Sequence, residues 1–384
     1  MRVAVLGAGT TGSRVAAVLA DMPQVESLTV ADADQAAAAC AAGPTCVATT
    51  LDVADGMGLR RLLDNVDVVV STVGPFYSFG TTVLQAAIDV GVDYVDICDD
   101  WEPTVDMLAL DDAACAAGIC AVIGAGASPG LSTLLAAEAL DRLDSVRDAY
   151  TAWPLDAHPT ATRVDSPSSA APVHWMHQCS GAVAEVCAGA VVEREPLRPI
   201  TLTLPGGRRG TAYTVGHPEP VTLHRTVRPA GDSACLMLLR RSTAAYLDIL
   251  RSDIDAGRLT PDSAAALLEP PSLWHVARGL PRAVRRRGAG TLPGFFAAAD
   301  GLVDGRPTRV CATWTASSAL LGDMAAVTGV PAALATAQIG SGRGRPGVHP
   351  PDAILDRASL FDDLAVAFPG TRVIVEEAAG WLTT

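Results

Sequence analysis

The stretch Arg2-Val3-Ala4-Val5-Leu6-Gly7-Ala8-Gly9-Thr10-Thr11-Gly12 decides the fold. Arg2 to Leu6 is a short, mostly apolar run, a glycine-rich turn follows at once, and Val15, Val18, Leu19 and Met22 then recur at helical spacing. That is strand, turn and helix. Gly7 permits the tight turn, Gly9 lets the backbone approach a pyrophosphate, and Gly12 lets helix and strand pack closely. The amides at the helix start stabilise phosphate charge. Alone, such a glycine pattern also serves ordinary turns, so context matters. Ser27-Leu28-Thr29-Val30-Ala31 reads as a second strand ending at Asp32, twenty residues beyond Gly12, the offset of an acid that holds a ribose 2′-hydroxyl. A nicotinamide-type dinucleotide site is expected on Gly7, Gly9, Thr10, Thr11, Gly12 and Asp32.

The same alternation continues outward. Strands are predicted at Cys46–Leu51, closing at Asp52, at Val66–Thr72, at Tyr94–Cys98 and at Ile119–Ile123, with helical stretches between them. The fold class is therefore α/β, a Rossmann-type doubly wound parallel sheet. Ligands of such a sheet lie beyond the carboxyl ends of its strands. Asp52 and Val53 would flank the adenine, and Ser71, Thr72, Val73, Gly74 and Pro75 the second ribose and nicotinamide; a plain turn explains either group as well.

From Val146 the pattern changes. Strand-like runs at Arg147–Trp153, Ile200–Leu204, Ala212–Val215 and Val221–Arg225, with a helix from Val173 to Cys187, predict a second, α+β substrate domain. Asp156–Pro172 reads as a long loop. Helical patterns return over Thr243–Leu268, and Arg282–Arg287 reads as a solvated basic face. Arg309–Thr315 is the expected last strand of the second domain, after which the helix Ser317–Thr328 carries the chain back and Ala353–Phe368 forms the final helix. The expected domains are 1–127, 128–316 and 317–384, the last a set of helices packing back on the first.

A chain of 384 residues, 49% hydrophobic, can bury two sizeable cores. No apolar run approaches the roughly 20 residues of a bilayer span, and no signal peptide is evident, so a cytoplasmic protein is expected. The formal charge of −14 argues against nucleic acid. All 28 basic residues are arginines. That excludes lysine chemistry, whether Schiff base, phosphate-binding loop or proton transfer, and leaves His, Asp, Glu, Cys, Tyr or water as the acid–base group. The nine cysteines contain no Cys-x-x-Cys pair and read as free buried thiols.

At this point the chain resembles the saccharopine dehydrogenase-like oxidoreductases. The matching segments are Gly7–Gly12, Val73-Gly74-Pro75-Phe76, Tyr94-Val95-Asp96, Gly124-Ala125-Gly126-Ala127-Ser128-Pro129-Gly130-Leu131, Val215-Gly216-His217-Pro218-Glu219-Pro220 and Thr328-Gly329-Val330-Pro331-Ala332. The resemblance implies a Rossmann domain, a central substrate domain and returning C-terminal helices. It also implies a nicotinamide cofactor used to make or break a C–N bond of an amino-acid-like substrate. Reduction of C=C bonds and a non-catalytic dinucleotide-binding sensor or assembly role are the alternatives.

Ala33-Asp34 after Asp32 adds a second acid, and no nearby arginine would meet a 2′-phosphate, so NAD is expected over NADP. Asp99 and Asp100 follow the fifth strand, either as catalytic acids that orient an amine or as helix caps. Ser128 and Pro129 open a helix whose amides suit a substrate or cofactor, although proline is routine there. Phe76 is expected beside the substrate. His174 and His177 share one face of a helix, and His177 is the candidate proton donor; a metal needs further ligands, so none is expected. Arg163 and Arg225 are candidates for a substrate carboxylate. The carboxyl ends of strands four and five are expected to face the two histidines across a cleft. The expected partner is a small molecule, a homodimer is admitted, and no membrane contact is expected.

Overall fold

The apolar runs and helical stretches resolve into β1 (Arg2–Leu6), α1 (Thr10–Ala20), β2 (Ser27–Asp32), α2 (Gln35–Ala42), β3 (Val47–Thr50), α3 (Gly56–Leu63), β4 (Val68–Ser71), α4 (Phe76–Val90) and β5 (Asp93–Asp96). Next come α5 (Trp101–Leu108), α6 (Asp111–Ala117), β6 (Cys120–Val122) and α7 (Leu131–Leu140). The computed structural model describes residues 1–44, 46–155, 171–268 and 273–381.

The chain continues through β7 (Ser145–Pro154), α8 (Ala171–Gln178), β8 (Val183–Cys187), β9 (Ala190–Arg194), β10 (Pro199–Thr203), β11 (Arg209–Thr214), α9 (Glu219–Thr226) and β12 (Ser233–Leu238). Three helices follow, α10 (Arg241–Asp255), α11 (Pro261–Ala265) and α12 (Leu273–Arg285), before β13 (Phe296–Val303) and β14 (Arg306–Thr315). The last elements are α13 (Ser318–Leu321), α14 (Met324–Gln338), β15 (Gly347–His349), α15 (Pro351–Ile354), α16 (Arg357–Ala367) and β16 (Arg372–Ala379). Among the described residues no helix is long and apolar enough to cross a membrane.

Two units divide the chain. The first is Met1–Leu134 with Asp323–Thr371, the second Leu135–Gly322 with Arg372–Thr384. The first holds a seven-stranded parallel sheet in the order β15-β6-β5-β4-β1-β2-β3. Its central strands are covered on both faces, as their unbroken apolar runs require: Val68, Val69 and Val70 are fully buried. Short acidic caps start the outer helices, with Asp34 accepting from the Ala36 and Ala37 amides and Asp55 from Met57. Strand order reverses at β1, which lies between β4 and β2, so the turns after β1 and β4 flank the switch point where such sheets bind ligands.

Helix α14 buttresses that point from the end of the chain. A Cβ on Gly329 would lie 3.0 Å from the Arg14 side chain and 3.2 Å from the Thr11 carbonyl oxygen, so glycine there lets α14 seat directly on α1. A Cβ on Gly126 would lie 2.9 Å from Thr328, which fixes the loop after β6 against the same helix.

The second unit is a mixed sheet ordered β10-β11-β12-β7-β13-β14-β16, with β8 joining β12 and β9 joining β8. Its core gathers Tyr150, Ala152, Leu202, Leu236, Phe296 and Cys311.

Several boundaries differ from the sequence reading. The predicted helix Val173–Cys187 ends at Gln178, where Gly181 turns left-handed and the chain enters β8. Val221–Arg225, read as a strand from its β-branched residues, is part of α9, which Pro218 and Pro220 start. Arg309–Thr315 is not the last strand of its sheet, because β16 pairs with β14 over eight residues. Helices α14 and α16 belong to the first unit, while Arg372–Ala379 belongs to the second.

Candidate functional site

Gly7 takes φ +92°, a left-handed conformation natural to glycine, and a Cβ there would meet the Thr72 hydroxyl at 2.7 Å. A Cβ on Gly12 would lie 1.9 Å from the Gly7 carbonyl oxygen, so no side chain fits. Gly9 differs: a Cβ on it would have no atom within 4 Å, leaving its face open to a ligand. Helix α1 begins at Thr10 with Gly9 as its N-cap and no side-chain cap, so its first amides are directed at that open face.

Thr72 holds the turn from below. Its hydroxyl donates to the Leu6 carbonyl at 2.9 Å and reaches the Gly7 carbonyl at 3.2 Å, while its amide donates to Leu6 at 2.8 Å. Asp32 closes the other side: one carboxylate oxygen accepts from the Ala8 amide at 2.7 Å and the other from the Asp34 amide at 2.8 Å. A carboxylate has about four acceptor positions, so both oxygens keep capacity for a ribose diol. These residues fit a dinucleotide: an uncapped helix start for the pyrophosphate, an open glycine face and an oriented ribose acceptor.

The other candidates of this edge divide by burial. Asp52 is exposed and accepts from the Ala54 amide in a turn, and Val53 is buried. Ser71 is buried beside Tyr94, inside the sheet. Val73 and Pro75 are half-buried and Gly74 is exposed, so the backbone there is accessible. Phe76 is buried at the start of α4, close to Gly80.

Asp96, absent from the sequence-based candidates, sits at the end of β5 directly across from Ser71 and is fully buried. It accepts from the Tyr94 phenol at 2.8 Å, the Cys98 amide at 3.0 Å and the Gly124 amide at 2.6 Å. Burial pushes its pKa up to about 6, against the pull of those donors, and the nearby Asp99 charge adds to the rise. Burial, and after it the Asp96 charge, raises the Cys98 thiol well above its ordinary range, so it is no ready nucleophile. Asp99 is half-buried and Asp100 buried. Asp100 occupies the N-cap position of α5 without a side-chain cap bond, so its carboxylate does not serve the role that a simple cap would give it.

The loop after β6 packs tightly. Gly130, at φ +116°, abuts Gly126, the Leu131 amide donates to the Gly126 carbonyl, and Pro129 is buried against Gly124. Ser128 is half-buried, and with Pro129 it lies in the turn before α7, which starts only at Leu131, so the two do not open the helix as the sequence suggests.

In the second unit His174 and His177 lie on α8 as predicted. The His174 ring nitrogen is 2.9 Å from the Gln178 amide nitrogen. His177 is exposed, and partial burial, then the neighbouring His174, lower its pKa below the ordinary value. Arg225 is exposed on the last turn of α9 rather than after a strand. Arg163 lies outside the described residues. A cluster the sequence did not advertise joins three separate segments. The His217 ring stacks on Trp153 with centroids 5.4 Å apart, and its Nδ1 is 3.7 Å from Glu219. The Cys235 thiol lies 3.5 Å from the other Glu219 oxygen. All three are buried, with their donor atoms within 4.8 Å of one another.

Residues 3–122 match the family model described as the saccharopine dehydrogenase NADP binding domain. The whole chain is similar in fold to saccharopine dehydrogenase (L-Glu forming) from Saccharomyces cerevisiae, with 17% identity, 98% of this chain and 100% of that one covered, and a TM-score of 0.66. Weaker likenesses are to GenD2 from gentamicin A biosynthesis in complex with NAD, at 17% identity, 75% and 95% coverage and TM-score 0.33, and to an NAD binding oxidoreductase from Klebsiella pneumoniae, at 15%, 81% and 72%, and 0.37. Neither of these two bears on the fold. The family match covers the strands that carry the glycine turn, Thr72 and Asp32, so residues 3–122 form a nicotinamide-dinucleotide-binding domain of the saccharopine dehydrogenase type, and the fold likeness extends over both units.

Proposed function

We propose that the enzyme transfers hydride at a C–N centre, an imine or secondary amine, of an amino-acid-like substrate. The observation that carries this reading is the group of carboxylates Asp96, Asp99 and Asp100 at and just beyond the end of β5, the strand beside β4. Acids there suit a substrate nitrogen that is positive as ammonium or iminium. A C=C reductase has no cationic nitrogen for them to hold. Asp99 and Asp100 hold the nitrogen, and Asp96 fixes the loop through Gly124 and Cys98.

When bound, the nicotinamide takes or supplies the hydride. In oxidation the substrate C–H leaves as hydride, the N–H proton passes to a base, and C=N forms; reduction reverses each step. We assign the base to His177, with His174 beside it. A lowered pKa keeps His177 neutral at pH 7, ready to accept that proton. Phe76, Ser128, Pro129, Arg163 and Arg225 remain assigned to the substrate.

NAD is the proposed cofactor over NADP. Asp32 keeps acceptor capacity for a ribose diol, and the exposed Asp34 carboxylate, although it caps α2, adds a second negative charge close by that would disfavour a 2′-phosphate. Calorimetry should show tighter binding of NADH than NADPH, and Asp32→Ser should narrow the gap. The reverse preference would remove the assignment. For the reaction, 4-deuterated NADH is incubated with amine and keto-acid pairs. Deuterium on the carbon bonded to nitrogen supports the reading, and deuterium on an enoyl carbon replaces it with C=C reduction. No transfer to any product leaves a binding protein.

A further inference from the structure

Helix α12 is built inside out. Its thirteen residues, Leu273–Arg285, hold Leu273, Trp274, Leu280 and Val284 at 87, 68, 62 and 82% exposure. Leu273, Leu280 and Val284 follow helical spacing and form one apolar stripe, with Trp274 on its flank. The polar face is turned the other way, onto α10. Arg278 pairs with Asp253 at 2.5 Å, Arg282 with Asp248 at 2.9 Å, and His275 lies 3.3 Å from Asp253. Just past the helix Arg286 reaches Asp248 at 3.1 Å. Gly279 is buried on the same side, against Ala245. These ion pairs fix the roll of the helix, so the apolar stripe cannot turn inward.

An exposed stripe of this kind marks a contact surface. Its size and charge indicate what covers it. A thirteen-residue helix is about 20 Å long and its face spans about 200 Å², far below the ~800 Å² per partner of a stable protein interface. The stretch of chain that carries it is basic. Residues 270–299 contain no acid, and Arg285 and Arg287 are exposed with no ion pair among the described residues. Two copies of this face would set like charges together. A bilayer surface accepts a narrow stripe, an interfacial Trp and flanking arginines together.

We propose that α12 is a peripheral membrane contact. Leu273, Leu280 and Val284 enter the acyl boundary of an anionic bilayer, Trp274 lies at the headgroup level, and Arg285 and Arg287 meet lipid phosphates. The net charge of −14 does not forbid this, because charges more than about 8 Å away are screened at physiological ionic strength. The contact is a surface one and needs no spanning helix.

The test is flotation of the full chain with vesicles of phosphatidylcholine, with and without phosphatidylglycerol. The protein should float with the anionic vesicles, and Leu280→Glu with Val284→Glu should lower partitioning at least about tenfold. Both positions are exposed, so NADH binding and the thermal midpoint should stay unchanged and vouch for the fold. A Trp274→Phe variant should lose the emission shift that vesicles cause. Failure of the unaltered chain to float, or equal flotation of the double variant, overturns the proposal. So does a dimer that the double variant dissociates without any vesicle binding, which would assign the face to a second copy.

Discussion

Asp96 and Asp253 are both almost fully buried aspartates, and their surroundings treat them in opposite ways. Asp96, in the first unit, accepts only from a phenol and two backbone amides, and burial lifts its pKa to about 6. Asp253, in the second, meets Arg278 at 2.5 Å, Arg258 at 2.5 Å and His275 at 3.3 Å, and its pKa falls to about 2, chiefly through the Arg278 hydrogen bonds. Asp96 lies deep and has only neutral donors to offset its desolvation, whereas Asp253 lies nearer the surface, is desolvated less, and has cations that outweigh the cost. The difference separates two uses of a buried acid. One places an easily protonated group at the dinucleotide edge, and the other rivets two helices.

The largest expected effect comes from removing the Asp96 acceptor. Asp96→Ala strands the Cys98 and Gly124 amides and the Tyr94 phenol in a dry interior. At about 1–3 kcal/mol for each orphaned group, a loss of roughly 3–5 kcal/mol is expected from denaturant unfolding. A loss below 1 kcal/mol would mean that water reaches the site.

Protonation sharpens the contrast next. Asp96 has a folded pKa of about 6 against an ordinary value of 3.8. Between those values the folded chain holds a proton that the unfolded chain has released, so stability falls as pH rises through that window, by about 2–3 kcal/mol. Asp96→Asn keeps an acceptor for the amides and removes the titration. Its unfolding free energy should not show that fall; an unchanged pH profile would place the proton elsewhere.

Asp253 should show the reverse sign. Its folded pKa of about 2 lies below 3.8, so its contribution is complete above about pH 4 and is lost as pH falls toward 2. Asp253→Asn should cost about 1–2 kcal/mol at pH 7, a figure reduced because Arg258 is more than half exposed. The gap from the unaltered protein should close by pH 2; a gap that persists there would show a packing effect.

Tyr94→Phe is the mildest probe. It removes the phenol hydrogen bond at 2.8 Å and should cost about 1 kcal/mol, more above pH 6 where Asp96 is ionised. Thermal midpoints at pH 5 and pH 8 should separate accordingly, and equal shifts would indicate that the phenol bonds the protonated acid equally well.

The first unit was readable because its information is local. Gly7, Gly9 and Gly12 specify backbone shapes within six residues, and the twenty-residue offset to Asp32 follows from one strand-helix-strand unit. Asp96 was passed over because a strand-end acid looks the same in sequence whether water or a sheet surrounds it. The second unit hid more. Val221 to Arg225 carries β-branched residues yet is helical, since prolines at 218 and 220 start a turn that local propensity does not weigh. Trp153, His217, Glu219 and Cys235 meet from three segments that only the sheet brings together. Arg282 to Arg287 read as a solvated run, but Arg282 and Arg286 face Asp248, more than thirty residues back, and the apolar residues took the water side. Long-range charge pairing overrode the rule that places arginine outside, and no periodicity in α12 records where its partners are.

Strand β16 has a consequence for how the protein is made. The sheet of the second unit takes its outermost strand from Arg372–Ala379, while the first unit needs α14 and β15 from Asp323–Thr371. Neither unit can finish folding while residue 322 is still being added at the ribosome, although both cores are by then mostly synthesised. At roughly 5–20 residues per second, the backbone edge of β14 waits several seconds for its partner strand. During that interval β14 presents an open edge, and nascent chains on one messenger are neighbours. Chaperone demand, and the yield of recombinant protein, should therefore depend on how fast the codons for residues 323–379 are read.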